Sequence, residues 1–182
     1  MHTLATSLTG LELVAPDPER DAKYALEWFS SPSGKETLLL MGNAPEDISD
    51  PTLEGETETI EEFLLLEREG KQLAWMIRYD NKTIGAAWID LVEKHDVRPP
   101  SIHIMIGDKS YRGKGIGKVS MLSLIEFITN ETNHKTIYSR HLKSNAAVDR
   151  MNRSLGFVND GKPYTDSDGL EWQHIKMSLS HD

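Results

Sequence analysis

The sequence predicts a single α/β domain over residues 1–182, with six to seven strands and about four helices in one mixed, twisted, layered system. Three observations carry that expectation. The length fits one domain of ordinary size. Segments with apolar residues at helical spacing alternate along the chain with segments rich in β-branched and aromatic residues. No repeat, low-complexity tract or linker divides them, so strands and helices share one core.

The elements follow in order. Residues 11–16, "LELVAP", read as a strand. Residues 17–31 read as a helix, with Asp17 as N-cap, Pro18 in the first turn, and Ala22, Ala25, Leu26 and Phe29 at helical spacing. Residues 57–70 form a second helix ending at Gly70. Residues 72–80 and 82–94 are two strands of a hairpin around Asp80-Asn81. In 101–107, Ile102, Ile104 and Ile106 alternate with His103 and Met105, as in a strand. A glycine-rich loop leads into a helix to about Thr132, whose Ile116, Val119, Leu122, Ile125 and Ile128 recur every three residues. Residues 135–142 are a strand. Residues 144–156 are a helix with Ser144 as N-cap and Gly156 past its end. Two strands close the chain around Ser167-Asp168-Gly169.

Composition narrows the function. Hydrophobic residues make up 38 % and charged residues 27 %, which suits a packed core. The net charge of −9 argues against nonspecific nucleic-acid binding and favours cationic partners. No run approaches the roughly 18 apolar residues of a membrane span, and the N-terminus lacks the pattern of a signal peptide. No membrane partner and a cytoplasmic location are the expectations. There is no Cys, so thiolate metal sites and cysteine nucleophiles are excluded. His2, His95, His134, His174 and His181 show no metal-ligand spacing, and no metal is expected.

The segment "SYRGKGIGK", residues 110–118, carries the chemistry. A strand, a glycine-rich turn and a helix start make an anion site, because the first helical N–H groups have no internal partner. Arg112, Gly113, Lys114, Gly115, Ile116, Gly117 and Lys118 form it. The P-loop pattern fails, since five residues separate Gly107 from Gly113 and Gly115 follows Lys114. The G-x-G-x-x-G pattern fails at Lys118 and Ser120. Arg/Gln-x-x-Gly-x-Gly/Ala fits, through Arg112, Gly115 and Gly117. Downstream stand Asn145, Val148 and Gly156-Phe157. With these two motifs, over about residues 72–180, the chain resembles the GCN5-related N-acetyltransferase (GNAT) superfamily.

The resemblance implies the GNAT fold, acetyl-CoA as co-substrate and its pyrophosphate on the glycine loop. It implies main-chain contacts from Met105 and Ile106 to the pantetheine arm, and a contact from Asn145. Dimers are common in the family, and the sequence leaves a homodimer open. Family members often carry a Tyr acid seven residues after the motif Asn; here Asn152 stands there. Tyr138, Tyr164 and His141 are the substitutes to weigh, or the leaving thiolate needs no acid.

Acetyl transfer needs a group to take a proton from the attacking amine. Asp90 and Glu93 in the third family strand and His103 in the fourth are the candidates. Between Ala44 and Phe63 stand Glu46, Asp47, Asp50, Glu54, Glu56, Glu58, Glu61 and Glu62, with no Lys or Arg. Trp28, Phe29, Trp75 and Trp88 could floor a groove. That acidic segment points to a cationic small-molecule amine; by resemblance to the aminoglycoside 6′-N-acetyltransferases the first expectation is an aminoglycoside, with a polyamine acetyltransferase as an alternative. A ribosomal-protein-type N-terminal acetyltransferase and a non-catalytic acyl-CoA-binding module are the alternatives.

Overall fold

The computed structural model describes residues 3–180. It contains strands β1 (Leu4–Ala5) and β2 (Leu11–Val14), helices α1 (Pro18–Phe29), α2 (Pro32–Leu40) and α3 (Leu53–Arg68), and strands β3 (Gln72–Tyr79), β4 (Lys82–Asp90) and β5 (Ser101–Ile106). Then come α4 (Ile116–Glu131), β6 (Thr136–Leu142), α5 (Ala146–Leu155), β7 (Val158–Asn159), β8 (Tyr164–Thr165) and β9 (Glu171–Ser178). One sheet has the order β1-β2-β3-β4-β5-β6-β9-β7, with β8 on β9. Neighbours are antiparallel except β5 and β6, so the sheet is mixed.

Local chemistry explains most boundaries. Asp17 accepts the Arg20 N–H and starts α1. Asp80 and Asn81 both take positive φ, at 46° and 67°, as a two-residue hairpin turn with the twist of its strands requires. Asn145, rather than Ser144, caps α5, taking the Val148 N–H on its side-chain oxygen. β4 stops at Asp90, short of 94, where the chain leaves the sheet. The long helix α4 buries Ile116, Met121, Leu124 and Ile128, while Leu122 is 44 % exposed. With Ser120, also buried, the stripe Ile116, Ser120, Leu124 and Ile128 advances by four residues, close to 3.6 per turn, and not by three.

Alternation within the strands sorts the two faces. Ile102, Ile104, Ile106 and Ile137 join the main core under α4 and α5. Ala86 and Met105 join a second cluster with Val14, Ala25 and Trp28 under α1. Phe63 carries α3 onto that second face. The sheet is thus a wall between two layers of helices.

Candidate active site

β5 and β6 are parallel neighbours that register at one pair, Ser101 with Tyr138. Beyond it they splay. The Tyr138 N–H donates to Pro100 O (3.0 Å) and the Ser139 hydroxyl to Ile102 O (2.7 Å). Both acceptors lie on β5's β6 edge, so strand alternation puts the main chain of Ile104 and Ile106 on that open edge as well. Met105 turns its main chain to β4, where a Cβ on Gly85 would collide with its carbonyl. The edge position expected for Met105 belongs to Ile104. The Ile106 carbonyl is already taken by Arg112 Nε at 2.8 Å.

A cavity of about 200 Å³ occupies the splay. Trp88, Asp90, His103, Arg140 and Trp172 share one strand parity, that of the α1–α3 face, and line it with Leu40 and Met41 from the end of α2. Ile102, Ile104, Ser139 and His141 line it from the opposite face, with Met121 of α4 and with Asn145, Val148, Met151 and Asn152 at α5.

Two sequence-predicted residues meet there. Trp88 lies opposite His103 and Asp90 opposite Ser101 in the β4–β5 register. Asp90 is buried, and its Oδ2 lies 3.0 Å from His103 Nε2. Its Oδ1 accepts from Gln72 Nε2 at 2.7 Å. The Ser101 hydroxyl sits 3.1 Å from the same His103 nitrogen. The imidazole stacks on Trp88, centroids 5.3 Å apart and planes 16° apart, and Trp88 is backed by Phe63. Burial alone would raise the Asp90 carboxyl; the hydrogen bond and charge of His103, then Gln72 and Lys94, outweigh it and hold it below the usual range. With Nε2–H given to a carboxylate, Nδ1 keeps its lone pair, which is the state of a general base.

The glycine loop presents its amides. Arg112 N–H donates to Lys109 O and Val119 N–H to Gly115 O. Among the described residues, the six amides between them, Gly113 to Lys118, have no protein acceptor. Gly113 and Gly115 have φ of 72° and 80° with nothing near an added Cβ, so the loop curls with its front open. Lys114 and Lys118 are exposed beside it. The Ile116 side chain is core. Arg112 is placed otherwise than as a free phosphate ligand: it donates to Ile106 O, Gly107 O and the Thr37 hydroxyl, at 2.8, 3.2 and 2.6 Å. It ties the loop to β5 and α2.

Other candidates separate from the cavity. Glu93 is exposed past the end of β4 and lines none of it. Tyr138 lies under Arg98, and Tyr164 accepts from Arg140 Nη1 and packs on His174; neither lines the cavity. His141 and Asn152 do. Of the eight carboxylates only Glu56 is half-buried, its carboxyl raised by burial, and none lines the cavity. Trp28 and Trp75 are core. No group of three metal-binding side chains occurs among the described residues, and no helix there is long and apolar enough to cross a membrane; His2 and His181 lie outside them. Sequence reasoning missed Gln72, Ser101, Lys94, His95 and Arg140, which only the register and the chain's path after β4 bring to Asp90 and His103.

No curated protein sequence matches the chain significantly. The chain is similar in structure to the ribosomal L7/L12 α-N-protein acetyltransferase RimL in complex with coenzyme A, with a TM-score of 0.82, 18 % identity and 100 % of both chains covered. It is also similar to the microcin C7 self-immunity acetyltransferase MccE with acetyl-CoA and AMP (TM-score 0.77, 16 % identity, 94 % of both chains). Spermidine N-acetyltransferase from Vibrio cholerae, with CoA and spermine, gives a TM-score of 0.72 at 13 % identity over 96 % of this chain and 98 % of that one. The model of the acetyltransferase (GNAT) domain family matches residues 11–158. The chain therefore belongs to the GNAT acetyltransferase family and is an N-acetyltransferase that takes its acetyl group from acetyl-CoA.

Proposed function

We propose that this enzyme acetylates a primary amine deprotonated by the His103–Asp90 pair. The observation that carries the reading is that pair, 3.0 Å apart, in the cavity where β5 and β6 part. Asp90 holds the imidazole by Nε2, and Nδ1 takes a proton from the incoming ammonium. The neutral amine then attacks the thioester carbonyl and the N–C bond forms; the C–S bond breaks with its electron pair leaving on sulfur as the CoA thiolate, which takes the second proton from the attacking nitrogen. The N–H groups on the open edge of β5, from Ile104 and Ile106, are the donors for the oxyanion and the pantetheine arm. Asn145 caps α5 and lines the same passage; its amide, in a long 3.5 Å hydrogen bond to Leu40 O, is the group that would turn to the arm. The six loop amides, with Lys114 and Lys118, receive the pyrophosphate, and Arg112 fixes the loop's shape.

The acceptor is a small-molecule amine. The acidic segment gives an outer surface that attracts an ammonium group. Inside, the cavity offers that ammonium one carboxylate, Asp90. Among the described residues, a polycation such as an aminoglycoside finds no second carboxylate in the cavity wall for its other amines. The proteins named above act on, or hold, a protein α-amine and a polyamine, and both are amines.

The test is thiol release from acetyl-CoA with monoamines, polyamines, aminoglycosides and N-terminal peptides. Release with small monoamines, abolished by His103→Ala, is the expected result. Release with aminoglycosides alone would move the acceptor site to the acidic segment. Undiminished release by His103→Ala would remove the base.

A further inference from the structure

The cavity wall holds more positive than negative charge. Among the described residues, Arg140 and Lys94 line it against the single carboxylate of Asp90. Arg140 is half-buried. Its guanidinium carbon lies over Trp172, 3.9 Å from the ring centroid, and one nitrogen donates to the Tyr164 hydroxyl at 3.1 Å. Among the described residues it has no carboxylate within ion-pair distance. Asp166, the carboxylate its charge reaches, spends one oxygen on the Trp172 indole and the other on the amides of Asp168 and Leu170. Arginine carries five N–H donors in a rigid fork. One is used here, and none of the idle nitrogens is sealed from solvent. An oriented, unpaired guanidinium in a cavity wall is built for a bidentate anion.

We propose that Arg140, backed by Lys94, is an anion subsite on the acceptor face, so that the acceptor carries a carboxylate or a phosphate beside its amine. The inference rests on the amine-acetylation reading above and adds the acceptor's class. Strand parity puts Arg140 on the same face as His103, across the splay. An acceptor with its amine at His103 extends its acid group over Trp172 to the guanidinium. The subsite also orients the amine, because a substrate held at two points reaches the thioester in one pose.

Matched amines test it in the thiol-release assay. The pairs are β-alanine with β-alaninamide, and 2-aminoethyl phosphate with ethanolamine; the first reads carboxylate, the second phosphate. Wild type should prefer the anionic member of at least one pair by about 10- to 100-fold in kcat/KM, from the strength of charge-assisted bonds. Arg140→Gln should erase that preference, raising KM for the anionic member by far more than for its neutral partner. Arg140→Lys should keep part of it. Equal use of both members by wild type, or equal losses on both in Arg140→Gln, overturns the subsite. Calorimetric titration of the same four amines into the CoA-saturated protein reads binding without turnover. Selective binding of the anionic members without turnover would sink the base assignment and keep the subsite; no selectivity would sink the subsite.

Discussion

Removing His103 and Asp90 singly and together is the most direct probe of the proposed catalytic pair. Loss of a positioned general base costs about 10²–10⁴-fold, or roughly 3–5 kcal/mol of barrier. His103→Ala should therefore lower kcat by at least about 100-fold. Asp90→Asn acts through the imidazole. Asp90 accepts from both Gln72 Nε2 (2.7 Å) and His103 Nε2 (3.0 Å). An amide offers one oxygen to those two donors. With that oxygen on Gln72, the new NH₂ faces His103 and selects the tautomer whose Nδ1 carries the hydrogen. The imidazole lone pair then points at the introduced amide and away from the substrate amine. A loss of about 10- to 100-fold follows. If the two residues are one device, the double variant loses no more than His103→Ala. The assay is steady-state thiol release at saturating acetyl-CoA, from about pH 6 to 9 around the histidine range, with melting temperatures as a folding control. Additive losses would show that Asp90 acts independently of His103. Full activity in His103→Ala would refute the assignment outright.

Three further outcomes follow from single sites. Gly115→Ala forces an L residue to a φ of 80° with open space around it, costing about 1–2 kcal/mol; calorimetry should show CoA affinity down at least about 10-fold, as a methyl enters the amide cradle, and unchanged affinity would place the pyrophosphate elsewhere. Asp21 is fully buried and accepts from Arg20, the Thr83 hydroxyl and the Asp17 N–H. Asp21→Ala should cost about 3 kcal/mol, read from urea midpoints, and a loss below about 1 kcal/mol would mean those groups find other partners. Asp90 has a folded pKa below its unfolded one, net of burial that raises it and of His103 and Gln72 that lower it more. Its contribution is complete above the unfolded value, about 3.9, and fades as pH falls through the folded value. Asp90→Asn should flatten the stability profile in that acid window, and parallel profiles for variant and wild type would contradict it.

Much of the fold was legible because short-range chemistry sets it. Asp17 before Pro18, Asp80-Asn81 and the loop from Arg112 to Gly117 each impose a backbone conformation that neighbours cannot change. α2 was not legible. Ser31 and Pro32 are a start signal, yet Gly34 breaks the helical pattern and "LLL" has no face. Gly34 is there for packing: a Cβ would strike the backbone of Trp28 and Phe29 at the end of α1. The site divides the same way. The alternation of β5 singled out His103, but its meeting with Asp90 depends on the β4–β5 register, and Gln72 enters only through the β3–β4 register. Arg112 looked like a ligand by charge; its three protein acceptors are visible only in three dimensions. Arg140 stood in a plain strand with no local signal, and Trp172 reaches it from another strand.

The two faces of the cavity divide the proton traffic. On the α1–α3 face, Asp90 and His103 can accept a proton and hold it. The α4–α5 face has no comparable donor. Asn152, where the family often has Tyr, is 2 % exposed, and its Oδ1 has no partner. Its amide can hydrogen-bond a passing chain but cannot release a proton. His141 is buried, and burial, against the pull of Asp149 at 3.4 Å, holds it below the ordinary histidine range. It is therefore neutral near pH 7, and a neutral imidazole is a poor acid. The reaction tolerates this because a thiol of pKa near 8.5 leaves readily as the thiolate. The amine, with an ammonium pKa near 10.4, does not attack until its proton is removed. The demanding transfer is the amine's, and it is the one the proposed carboxylate–imidazole pair serves.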